Sequence, residues 1–110
     1  MTKETEEKIG QLQMMEQNLQ NFLMQKQQLQ GQLVEIESAL RELKDSKEAY
    51  KIVGNIMISS TKEDLEKDLN EKKTTIELRI KTLEKQESTI KEKASSTQAE
   101  VMEQLKKEKK

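Results

Sequence analysis

The chain has 110 residues, 37% of them charged and 32% hydrophobic, with one Phe, one Tyr, no Trp and a formal net charge of −1. An ordinary globular domain is about 45–50% apolar, so a wide core is excluded, although a narrow seam between helices can still be filled. The absence of Cys and His excludes the usual zinc, haem, iron–sulfur, thiol and imidazole chemistry, and the near-neutral charge argues against nucleic-acid binding.

The first element is set by Leu12, Met15, Leu19, Phe22, Lys26, Leu29, Leu33, Ile36, Leu40, Leu43, Lys47 and Tyr50. Their spacings alternate between three and four, and only the two lysines are neither apolar nor aromatic. Five heptads of this pattern predict a coiled-coil helix over residues 1–48. Disorder would account for the mean hydropathy of −0.97 and for the many glutamines from Gln11 to Gln32. It gives no reason for a strict seam.

The connector, residues 49–60, changes period. Tyr50, Ile52, Val53, Ile56, Met57 and Ile58 surround Gly54-Asn55, a two-residue turn with Gly at its first central position. In that register Val53 faces Ile56 and Ile52 faces Met57, so both faces of the hairpin are apolar. An isolated two-stranded hairpin is marginal in water, and its open edges invite further strands. Pairing with hairpins of other chains, into a larger sheet or a closed barrel, is the expected resolution.

The last element, residues 61–110, repeats the seam. Leu69, Ile76, Leu83, Ile90 and Thr97 recur every seven residues, accompanied by Ile80, Ala94 and Val101 and interrupted by Lys73 and Glu87. Ser60 and Thr61 are candidate caps, with Glu63 and Asp64 placed for a capping box. Glu63–Lys67, Asp68–Lys72, Glu77–Lys81 and Glu87–Lys91 have the spacing of ion pairs within a helix.

Two helices of roughly 45 residues, each roughly 65–70 Å long at the α-helical rise, fold back most simply as an antiparallel pair. The fold class is then mainly α, a long two-helix coiled coil with a short β-hairpin at the bend. Lys26 and Glu87 fall at similar heights. Either they meet and fix the register, or each snorkels out of a thin seam.

A long coil, then Tyr50-Lys51-x-Val53-Gly54-Asn55-Ile56-x-Ile58, followed by an acidic and basic helix start with Leu65 and Leu69 and then Leu83-Glu84-Lys85-Gln86-Glu87, resembles the beta-type subunits of prefoldin. The resemblance covers essentially the whole chain, as a single prefoldin-type domain over residues 1–110. Its specific part is the hairpin segment, and a single hairpin points to the beta type, since alpha-type subunits carry two. It implies a hexamer of two alpha-type and four beta-type subunits, whose hairpins pool into β-barrels. It also implies an ATP-independent chaperone that captures unfolded clients at the coil tips and delivers them to a group II chaperonin. No cofactor is implied, and the three glycines are isolated rather than grouped in a phosphate-binding loop.

On this resemblance Tyr50, Ile52, Val53, Gly54, Ile56, Met57 and Ile58 form the oligomer interface. The coil tips, where both ends of the chain meet, offer Ile9, Leu12, Met14, Met15, Val101, Met102 and Leu105 to clients. Thr97 and Gln104 at seam positions are expected to weaken the coil there and let it fray. Lys106, Lys107, Lys109 and Lys110 either contact the chaperonin or simply complement the helix C-terminus. The cysteine-free chain, without a secretory or membrane-spanning segment, is expected in the cytoplasm. A structural coiled-coil scaffold and a filament-forming prefoldin relative are the alternatives.

Overall fold

The computed structural model describes residues 2–108. Two helices, α1 (Lys3–Asp45) and α2 (Lys62–Glu108), enclose two strands, β1 (Ala49–Val53) and β2 (Ile56–Ser60). The chain divides into two compact units. One is Gln27–Lys81; the other takes the chain up to Lys26 and from Thr82 onward.

In the unit made by the two chain ends, α1 and α2 run antiparallel. Thr5 bonds Gln104, Lys8 pairs with Glu100, and Lys26 pairs with Glu87, so one number rises as the other falls. Leu12, Met15, Leu19 and Phe22 are half-buried along α1, while Ile90, Ala94 and Thr97 are half-buried and Leu83 and Val101 buried along α2. Residues between these positions are mostly exposed, as a single apolar stripe per helix requires.

The Gln27–Lys81 unit continues both helices and carries the hairpin. Leu29, Leu33, Ile36, Leu40 and Leu43 are half-buried on α1, and Leu69 and Ile80 flank the buried Ile76 on α2. Here too the helices are antiparallel, with Lys73 Nζ 3.8 Å from Glu37 Oε1. The seam of α1 ends earlier than its periodicity predicts. Helix α1 stops at Asp45, so Lys47 lies in the connection and Tyr50 in β1, both exposed. Beyond Leu43 the chain turns away, and Lys62 Nζ donates to the carbonyl of Lys44, covering one of the carbonyls a helix end leaves open.

The cap of α2 is Thr61. Its Oγ1 accepts the Asp64 amide at 3.1 Å, and its carbonyl accepts the Leu65 amide. Ser60, the other candidate, is paired with Ala49 as the last residue of β2. Two of the ion pairs expected within α2 are redirected. Asp68 lies 3.4 Å from Lys51, and Glu87 lies 3.0 Å from Lys26.

Candidate functional site

The hairpin is the first candidate surface. Strands β1 and β2 pair antiparallel with Val53 opposite Ile56, Ile52 opposite Met57, Lys51 opposite Ile58 and Tyr50 opposite Ser59. This is the register that the Gly-Asn turn predicts. Gly54 has φ of +61°, and among the described residues no other has a positive φ. Asn55 is therefore on the negative side, which makes the turn type II′.

Register and pleat sort the side chains. Lys51, Val53, Ile56 and Ile58 share one face with the half-buried Ala49 and Ser60, and Lys51 reaches Asp68 of α2 from that face. Tyr50, Ile52 and Met57 occupy the opposite face. Neither face is covered. The aromatic and apolar side chains from Tyr50 to Ile58 keep between 49% and 68% of their surface exposed.

The edges are open as well. The sheet has two strands only. A two-residue turn makes Val53–Ile56 a hydrogen-bonded pair, and such pairs alternate along the ladder. The amides and carbonyls of Tyr50 and Ile52 on one edge, and of Met57 and Ser59 on the other, thus point away from the partner strand. Tyr50 is held at its side chain by a 2.8 Å bond from its hydroxyl to Glu48 Oε2, which raises the hydroxyl pKa above its ordinary 10.0.

The second candidate surface lies where the start of α1 meets the end of α2. Met14 and Met102 are exposed, Ile9, Leu12, Met15 and Leu105 are half-buried, and Val101 is buried at 6% exposure. Lys106 and Lys107 are exposed; Lys109 and Lys110 lie outside the described residues. Thr97 and Gln104 do occupy the seam, yet the seam is closed at this level. Thr5 is fully buried, and its hydroxyl donates to Gln104 Oε1 at 2.7 Å.

Thr5 and Lys8 are seam residues that the sequence reading passed over. They continue the spacing of three and four back from Leu12, but their polarity hid them. Lys8 Nζ lies 2.9 Å from Glu100 Oε2, a bond that raises the lysine pKa, and 3.7 Å from Glu4.

Among the described residues, no three acidic side chains are grouped to hold a metal, and no helix is long and apolar enough to cross a membrane. Antiparallel helix pairing within each unit, with an uncovered hairpin on one of them, defines a coiled-coil protein with a strand-pairing surface. Residues 6–108 match the family described as "Prefoldin subunit", and the chain belongs to that family of chaperones. It is 44% identical over 93 residues to the prefoldin subunit beta of Archaeoglobus fulgidus, covering 82% of this chain and 80% of the relative. With the prefoldin subunit beta of Saccharolobus islandicus it shares 35% identity over 107 residues, 94% of this chain and 85% of that one. The crystal structure of the prefoldin beta subunit from Thermococcus strain KS-1 superposes with a TM-score of 0.89 at 33% identity, covering 94% of each chain. The fold is that of a prefoldin beta subunit.

Proposed function

We propose that this chain is the beta-type subunit of an ATP-independent chaperone that assembles through its hairpin and captures non-native polypeptides where its two chain ends meet. The observation that carries the reading is the hairpin, which leaves apolar side chains on both faces and backbone groups on both edges without cover. Hairpins of alpha-type subunits and of further beta copies would complete the sheet, in a hexamer of two alpha and four beta chains. Tyr50, Ile52, Val53, Ile56, Met57 and Ile58 supply the contacts, and Gly54 the turn.

Clients bind Ile9, Leu12, Met14, Met15, Val101, Met102 and Leu105. Each such side chain contributes at most about 1.5–3 kcal/mol when fully buried. Affinity therefore depends on several subunits closing on one polypeptide. Methionine suits varied partners because its side chain is flexible and polarizable. The client then passes to a group II chaperonin in the cytoplasm, which Lys106, Lys107, Lys109 and Lys110 help to engage.

The test is light scattering as a chemically unfolded protein is diluted into this chain assembled with an alpha-type partner, without nucleotide. Suppressed aggregation near stoichiometric complex is expected. Unchanged aggregation, with assembly verified in the same sample, would leave a structural scaffold.

A further inference from the structure

The two chain ends are joined by a continuous set of hydrogen bonds. Thr2 caps α1, its Oγ1 accepting the Thr5 amide at 3.2 Å and its carbonyl accepting the Glu6 amide. The Thr2 and Thr5 hydroxyls are 2.9 Å apart, and Thr5 donates to Gln104 Oε1. The Thr2 amide donates to Glu108 Oε1 at 2.8 Å. One α1 cap is thus tied to two residues in the last turns of α2.

We infer that Thr2, Thr5, Gln104 and Glu108 form a latch that holds the end of the seam shut and controls when Val101 becomes available to a client. This rests on the client-binding reading above and specifies how that surface is regulated.

Three observations support it. Thr5 is the only fully buried side chain among the described residues, yet it is polar. A layer of Thr and Gln at seam positions is held by hydrogen bonds that water can replace, whereas an apolar layer has no substitute partner in water. Val101 stands one turn before Gln104 on the same stripe and is among the most buried apolar residues of the chain. Opening the polar layer is therefore the low-cost step that uncovers the apolar one. Lys8, paired with Glu100, adds a second polar tie beside it.

The decisive comparison sets a sealed variant against an opened one, in the full chain assembled with an alpha-type partner. Thr5→Val with Gln104→Leu replaces the polar layer by an apolar one of similar size. Thr5→Ala with Gln104→Ala removes it. Amide exchange over residues 5–12 and 98–106 should slow by about tenfold in the sealed variant and quicken in the opened one. Capture of guanidinium-unfolded citrate synthase should fall at least threefold on sealing, roughly the scale of a single lost contact, and rise or hold on opening. Unchanged exchange in both variants would show that the layer does not hold the seam, which overturns the latch. Slowed exchange in the sealed variant with undiminished capture, or capture that falls in both variants, would overturn the control of client access. If the wild-type assembly captured nothing, the client reading itself would fail and the gating with it, while the exchange readout would still decide whether the layer holds the seam.

Discussion

Lys26 Nζ lies 3.0 Å from Glu87 Oε1, with only 16% and 13% of the two side chains exposed. The charges turn into the seam and meet, which decides between pairing and snorkelling in favour of pairing. An ion pair at this depth gives up much of its hydration, so its net contribution to stability is small, but breaking it is costly. Lys26→Leu or Glu87→Leu alone should destabilise the helical pair by about 1–3 kcal/mol, because each leaves a charge without its partner. The double leucine variant should recover most of that loss. Thermal melts followed by circular dichroism, combined as a double-mutant cycle, measure the coupling. Additive losses would mean that the two charges act independently.

Gly54 occupies the left-handed region at φ of +61°, and a Cβ built there meets nothing within 4 Å. The cost of a side chain at this position is therefore conformational and not steric crowding by neighbours. Gly54→Ala should destabilise the hairpin by about 1–2 kcal/mol. Gly31, within α1, also has open space around its Cβ position, so Gly31→Ala should stabilise by about 0.5–1 kcal/mol. Opposite signs in denaturant melts of the two variants are the expected result.

What was legible in the sequence follows from which patterns one chain can express. The seam from Leu12 to Leu43 and that from Leu69 to Val101 are periodicities of apolar side chains, and the structure leaves those positions half-buried, with Ile76, Leu83 and Val101 buried. The hairpin register was equally legible, because Gly-Asn between β-branched runs admits few turns. The seam positions filled by Thr5 and Lys8 were not, since polarity there depends on partners nearly a hundred residues away, Gln104 and Glu100. The redirection of Asp68 to Lys51 and of Glu87 to Lys26 has the same cause. Local spacing cannot show a competing partner that folding brings close. Helix α1 ends before the heptad spacing predicts because Lys47 and Tyr50 keep that spacing by coincidence, Lys47 in the connection and Tyr50 in β1.

Tyr50 is the one tyrosine in a chain without tryptophan, so its ionisation can be followed directly by absorbance. Its hydroxyl donates to the Glu48 carboxylate, and that bond raises its pKa above 10.0. A raised folded-state value stabilises the fold below the unfolded pKa, and the contribution is lost as pH rises through the folded one. Alkaline titration should show a midpoint above 10.0 in the wild-type chain. Glu48→Ala should move it down, and an unmoved midpoint would show that the bond is not formed in solution.

Removing residues 1–11 together with 101–110 deletes the polar layer around Thr5 and most of the apolar set near the chain ends. The hairpin and its supporting helix turns lie in the other compact unit, Gln27–Lys81. Assembly should therefore persist while suppression of aggregation weakens several-fold, since avidity multiplies the loss of each weak contact. Size-exclusion chromatography and light scattering on the same preparation separate the two effects. Unimpaired capture would move the client surface to another part of the chain.

Ile56 sits opposite Val53 beside the turn and is 66% exposed. An exposed isoleucine in an isolated hairpin contributes little to the stability of one chain. Once neighbouring strands cover it, full burial is worth about 1.5–3 kcal/mol, repeated in every copy of an oligomer. A lysine there must either desolvate its ammonium or hold the strands apart, and charged edge residues are a common means of blocking strand addition. Ile56→Lys should thus leave the helical circular dichroism signal intact while shifting the sedimentation of the chain to smaller species. Thr61, by contrast, acts within one chain. Loss of its hydroxyl in Thr61→Ala removes the bond to the Asp64 amide and should cost about 1 kcal/mol without altering the assembly state. If Ile56→Lys assembled like the wild type, strand pairing would not be what joins the subunits, and the exposed hairpin would need another explanation.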